Sequence, residues 1–263
     1  MSTNNTFSLT RFKLLYKQQL LQNSKLLIFG TIGYCGVIMI VVAMATLDNG
    51  LRAPEHRIFF PMMSFLAIVF GVLYCGYSFP SLRNKESTIS YMTLPASTLE
   101  KFTLEFINRI LLSILVLPLL FWITYNAGYY FISLIFQSFE FEFFGTAVMQ
   151  EELKNTMERP KVITMFISIF TLFLVIPFTG AAFFGKQPLI KTLFSVASIV
   201  IAYICLIYIA VEPLGLGNYL IDETISLVPT ENDEILTFFI VVINITNLTM
   251  LTVAYLKLKE KEV

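Results

Sequence analysis

The sequence predicts an all-α membrane protein: an N-terminal amphipathic interfacial helix over residues 1–25, then a single domain of six transmembrane helices over 26–263. Three observations carry this reading. Six apolar stretches occupy residues 26–47, 58–79, 102–125, 162–184, 192–211 and 235–256. At ~1.5 Å rise per residue, about twenty residues of helix cover the ~30 Å hydrocarbon core, and at that depth a lone segment satisfies its backbone polar groups only as helix. Charge is segregated, because Glu105 and Arg109 stand inside a stretch while nearly every other charged residue falls in a gap. Finally, the 263 residues are 56% hydrophobic and 14% charged, too little polar surface to solvate a globular domain of this size.

The formal net charge of zero, from 18 basic and 18 acidic side chains, hides an asymmetry. With the N-terminus cytoplasmic, twelve basic residues fall in inner segments, from Arg11 in the leader to Lys261 at the C-terminus. Only Arg52, Arg57, Lys154, Arg159 and Lys161 fall in outer ones. Basic residues concentrate on the cytoplasmic side of membrane proteins, so both termini are expected inside.

In the leader, Leu9, Phe12, Tyr16 and Leu20 recur at helical spacing while Arg11, Lys13, Lys17 and Gln18 point elsewhere, the pattern of a helix lying in the interface. In the first span Gly30, Gly33 and Gly36 are spaced to admit another helix close to the backbone. The first outer loop holds the single His56, with no Cys or second His nearby to make a ligand set.

The inner segment 80–101 reads as a short helix from about Leu82 to Thr93, a break, and the start of the third span. Pro95 pushes Leu94 toward extended backbone, and Ser97 followed by Glu100 has the spacing of a capping box. Glu105 and Arg109 follow at i, i+4, on one helix face near the inner end of the span. Pairing with snorkelling to the headgroups explains them.

Residues 126–161 form an outer segment crowded with Tyr129, Tyr130, Phe131, Phe136, Phe139, Phe141, Phe143 and Phe144, the composition of a membrane interface; a surface segment and a partly inserted hairpin both fit. The last outer segment, 212–234, carries Gly215, Gly217 and acidic residues. In the sixth span Asn244, Asn247 and Thr249 make a polar middle, suited either to interhelical hydrogen bonds or to lining a polar path.

Chemistry has no obvious home in this chain. Residues 180–187 come within one residue of a phosphate-binding loop, lacking the Ser or Thr that holds magnesium, yet they close a membrane span instead of following a strand. Cys35, Cys75 and Cys205 all lie in apolar stretches and suggest packing, with no disulfide framework or metal site. No nucleophile elbow, zinc-protease pattern or intramembrane aspartate pair is present, and no catalytic residue, cofactor or metal is expected on this chain.

The basic leader, the six spans and the inner-loop run Glu86-Ser87-Thr88 through Leu94-Pro95-Ala96-Ser97-Thr98-Leu99-Glu100-Lys101 together resemble permease subunits of type-2 ATP-binding-cassette (ABC) exporters. The resemblance implies that the leader is a connecting helix and that the loop between spans two and three is a coupling helix docking on a separate ABC ATPase subunit. Arg83, Lys85, Glu86, Tyr91, Met92, Ser97, Glu100 and Lys101 would then serve ATPase coupling. ATP and Mg would be held by the partner, and a second permease copy or a related permease would complete the translocator. The location implied is a bacterial cytoplasmic (inner) membrane, with membrane lipid around the chain and no nucleic acid partner. The long outer segment between spans three and four departs from the family pattern, in which the longer outer insertion follows span five. The alternative function is a non-transporting subunit that scaffolds or regulates a cell-envelope complex.

Overall fold

The computed structural model describes residues 8–48, 59–83, 85–92, 96–136, 160–211 and 232–261. They form helices α1 (Leu9–Asp48), α2 (Phe59–Gly76), α3 (Lys85–Met92), α4 (Thr98–Phe106), α5 (Leu112–Phe136), α6 (Pro160–Phe183), α7 (Pro188–Val211) and α8 (Asn232–Glu260). A 3-10 turn, Pro80–Leu82, precedes α3, and a π-helical turn, Ile107–Leu111, joins α4 to α5. No strand occurs among the described residues. Among the described residues six helical segments are long and apolar enough to cross a membrane, which marks an integral membrane protein. His56, Pro95, residues 137–159 and residues 212–231, on which several sequence expectations fall, lie outside the described residues.

The leader and the first span are one uninterrupted helix of 40 residues. Hydropathy drops sharply at Lys25, but no proline or glycine stands between Leu9 and Phe29 to stop helix propagation there. At the other end of the third span, α5 continues to Phe136, so Asn126, Tyr129 and Ile132 are buried on a helix that extends the span through the first part of the expected outer segment.

Contacts between spans fix their relative directions. Ser8 meets Glu100, Gln19 meets Glu105, and Tyr34 donates to Leu117 O at 3.1 Å, so α1 and the third span run the same way. Asn244 meets Ser168 and Lys261 meets Ala182, so α6 and α8 also run together. Phe59 packs on Phe121 and Tyr125 while Cys75 meets Arg109, which makes α2 antiparallel to the third span. The directions alternate along the chain, as consecutive membrane crossings must. The ends of the spans nearest Ser8 are called the leader end below.

Two apolar cores lie between the helices. Near the leader end Phe79, Ile110, Leu174, Phe178 and Leu258 cluster; toward the far end Tyr34, Ile38, Phe59, Phe121 and Tyr125 do. Phe79 has φ 50°, a left-handed conformation uncommon for a bulky residue. Burial against the Phe178 ring, 5.2 Å away, holds it there and turns the chain from α2 into the 3-10 turn.

Gly180, first residue of the loop-like run 180–187, is helical and packs against Thr192 of α7 so closely that a Cβ there would overlap the threonine side chain. Gly180→Ala is expected to destabilise the protein by about 1–3 kcal/mol through overpacking. The double substitution Gly180→Ala with Thr192→Gly is expected to recover most of that loss. Thermal unfolding in detergent checks both, and an undisturbed Gly180→Ala protein would show that α6 and α7 do not pack this closely.

Candidate functional site

At the leader end, a chain of polar side chains begins at the break before the third span. Ser97 caps α4 with extended backbone: its hydroxyl accepts from Glu100 N at 3.2 Å, and Glu100 Oε2 accepts from Ser97 N at 3.0 Å. This is the reciprocal capping box expected from the spacing. Glu100 is fully buried, and its other oxygen accepts from Ser8 N at 2.6 Å and pairs with the Arg11 guanidinium at 3.3 Å. A single carboxylate therefore ties the start of α1 to the start of α4.

One and a half turns farther along, Gln19 of α1 donates to Glu105, and Glu105 accepts from Arg109 Nε at 3.4 Å. Both charges are buried, at 2% and 0% exposure, which corrects the expectation that they snorkel to headgroups and water. The reason is coverage: α1 lies over Glu105, and the guanidinium of Arg109 stacks on the Tyr74 ring of α2, 4.4 Å from its centroid. Arg109 itself lies in the π-helical turn Ile107–Leu111, an irregularity that disrupts the regular α-helical bonding of the span. Arg109 O accepts from the Ser113 hydroxyl at 2.5 Å and faces the Cys75 thiol at 3.5 Å.

The cluster holds more polar atoms than it satisfies internally. Both terminal nitrogens of Arg109, both side-chain polar atoms of Asn108, the Tyr74 hydroxyl and Gln19 Oε1 are buried with no hydrogen-bond partner among the described residues. An unmet buried polar group costs about 1–3 kcal/mol, more if charged, and such groups mark places where water or a ligand completes the network. Cavities border the residues that touch Arg109. One, of about 60 Å³, is lined by Gln19, Tyr91, Lys101 and Glu105. The other, of about 100 Å³, is lined by Gly30, Tyr34, Phe70, Tyr74, Ser113 and Val116 among others.

The residues expected to couple to an ATPase divide. Glu86 is exposed on α3, and Ile89, one turn later, is 66% exposed, so these two form an outward face. Arg83 instead turns back, with its guanidinium 3.7 Å from the Tyr77 ring centroid and one nitrogen directed to Gly76 O at 3.5 Å. Tyr91 packs on the leader-end core beneath Lys101, whose ammonium is 5.2 Å from the ring centroid and which is itself buried. Ser97, Glu100 and Lys101 thus build the break instead of presenting charge. Lys85 and Met92 lie on α3, but their side chains fall outside the described residues.

The remaining sites expected from the sequence lie elsewhere. Gly30, Gly33 and Gly36 are exposed, and nothing among the described residues stands within 4 Å of where a Cβ would be, so no described helix uses the close approach they permit. Asn244 donates to the Ser168 hydroxyl at 2.9 Å and buried Asn247 donates to Ser168 O at 3.2 Å, the interhelical bonding anticipated between spans. Thr249 bonds back to Thr246 O within its own helix. Cys35, Cys75 and Cys205 are free thiols. Near the end of α8, Lys261 donates to Ala182 O at 2.7 Å; burial, reinforced by the neighbouring Lys257, holds its ammonium pKa below the ordinary lysine range.

Arg11, Gln19, Tyr74, Asn108 and Ile89 entered the site only with the structure. Arg11 and Gln19 carry a faint signal, as polar residues on a helix that also presents apolar ones, whereas Tyr74 and Asn108 look like ordinary members of apolar spans. No protein-family model, curated protein or solved structure matches the chain.

Proposed function

We propose that this integral membrane protein is the permease subunit of an ABC exporter, half of a translocator in a cytoplasmic membrane with both termini inside. A separate ATPase subunit binds ATP and Mg and drives the cycle; a second permease copy or a related permease completes the route. The observation that supports this reading best is the polar chain running from the α3 break into three spans. Force applied to α3 meets a capped, rigid start of the third span. From there it reaches α1 through Glu100 and Gln19, and α2 through Arg109 on Tyr74. A helix that a partner pushes thus has bonded links to the spans that must move.

The face that meets the ATPase is the exposed side of α3 bearing Glu86 and Ile89. Glu86→Lys with Ile89→Asp is expected to lower ATPase recovery in co-purification from native membranes by about tenfold or more, the effect of losing one interface anchor. Thermal stability should change by no more than about 0.5 kcal/mol, as for substitutions at exposed positions. Recovery of an intact wild-type complex containing no ATPase would sink the exporter reading and favour the cell-envelope scaffold.

A further inference from the structure

We propose that the corner where α6 ends, α7 begins and α8 ends binds an anionic phospholipid of the surrounding bilayer, with its phosphate among lysines and an acyl chain along the exposed face of α7. The inference rests on the helices and their charges, and it stands whether or not the chain is an exporter subunit.

Cations from two helices converge on the end of α6. The Lys191 ammonium of α7 lies 5.9 Å from the Phe184 ring centroid, and the Lys257 ammonium of α8 lies 5.8 Å from that of Phe183. Lys261 donates to Ala182 O, so three lysines meet residues 182–184. Lys186, in the turn that joins α6 to α7, is exposed.

Little negative charge answers them. Residues 184–191 and 257–263 hold five lysines against Glu260 and Glu262. Glu260 pairs with Lys257 at 2.6 Å, and Glu262 lies outside the described residues. Lys186, Lys191 and Lys259 are exposed and form no ion pair among the described residues. Burial, with Lys257 beside it, already holds the Lys261 ammonium below the ordinary lysine range, so like charges are crowded here. An anion placed among these ammoniums relieves the repulsion, and a phosphate offers oxygens to several of them at once.

The bilayer supplies that anion. Both helices are spans, Pro160–Phe183 and Pro188–Ile209, so the turn between them stands at the level of headgroups. Basic clusters at span ends attract acidic headgroups. Deeper in the membrane, Phe194, Ile201 and Tyr208 of α7 follow at seven-residue intervals, which places them on one face, and they are 74%, 61% and 62% exposed. Phe194 stands one turn beyond Lys191, so a phosphate held by Lys191 sets its chain along this stripe. A free phosphate has no use for the stripe, and an acidic protein surface would meet the lysines without entering the hydrocarbon.

The full chain, purified in a neutral detergent, is unfolded thermally with dioleoyl phosphatidylglycerol, dioleoyl phosphatidylcholine or inorganic phosphate added. Phosphatidylglycerol is expected to raise the midpoint saturably, with about tenfold tighter half-saturation than phosphatidylcholine, and phosphate alone should not. Lys186→Gln with Lys191→Gln changes only exposed side chains, so the fold is kept; it should erase the preference for phosphatidylglycerol. Lys186→Arg with Lys191→Arg should retain it. Lys13→Gln with Lys17→Gln removes two exposed lysines from the leader at the same end of the bundle and should also retain it, which separates a site from general attraction. Phe194→Ala should weaken the response to both lipids together. Equal responses to the two lipids, a full response to inorganic phosphate, equal loss in the leader pair, or an unchanged lipid response in Phe194→Ala would each overturn the proposal. Loss of a co-purifying protein from the glutamine pair at 186 and 191, with its lipid preference intact, would overturn it too by assigning the lysines to a protein partner.

Discussion

Arg109→Gln is expected to destabilise the folded protein by about 3–5 kcal/mol, the cost of leaving a buried charge without its partner. Glu105 would remain ionised or take up a proton in a place that α1 and Tyr74 close off from water, and either outcome is unfavourable. Glu105→Gln should be similarly damaging, since it strands a guanidinium with two nitrogens already unmet. The informative result is the double substitution. With both charges gone no ion is stranded, so Glu105→Gln with Arg109→Gln should be less destabilised than either single variant, a coupling opposite in sign to two independent losses. Thermal unfolding of the four proteins in one detergent measures this. Additive effects, or single variants indistinguishable from wild type, would show that the pair is hydrated.

This expectation differs from what spacing alone suggests. From the sequence, an i, i+4 pair near a span's end is explained by headgroups and water, and a modest contribution follows. The difference lies in which helix covers the pair. Hydropathy ends the first span at Leu26, yet the helix continues back to Leu9, and that continuation carries Gln19 onto Glu105. A continuous helix is a cumulative result of good helix formers without a breaker, and no single residue in 18–26 announces it.

Local features were the more legible ones. The six spans follow from length and hydropathy, and the Ser97–Glu100 box follows from spacing three residues apart. Features that depend on another helix were not: the π-helical turn at Ile107–Leu111 sits in an unremarkable apolar run, and Tyr74 becomes a polar-site residue only because α2 runs antiparallel past Arg109. Arg83 shows the limit most plainly. Its sequence position beyond span two suggests a free docking charge, but the turn made by Phe79 and Pro80 brings it back over Tyr77. Gly30, Gly33 and Gly36 mislead in the other direction, since spacing gives the capacity for close approach and not the presence of a neighbour.

Glu100→Ala is expected to detach the leader from the inner loop. The carboxylate is the one described group that bonds Ser8, Arg11 and Ser97 together, and a hydrogen bond to a charged group contributes ~1.5–3 kcal/mol. Leu9, Leu14 and Leu21 of α1 are exposed and add no packing to hold its first turns. Amide exchange of residues 9–19 should therefore accelerate by about a hundredfold, matching a loss of about 3 kcal/mol in local opening. Ser97→Ala is the control: it removes the cap hydroxyl, costs about 1 kcal/mol at the start of α4, and leaves Glu100 free to hold Ser8 and Arg11. Exchange in residues 9–19 should then stay near wild type while the first turn of α4 frays. If Glu100→Ala leaves the leader as protected as before, the link between the α3 break and α1 does not run through this carboxylate. Movement of α3 would then reach the rest of the bundle through the third span and through the 3-10 turn after α2, where Thr88 donates to Ser81 O at 3.0 Å.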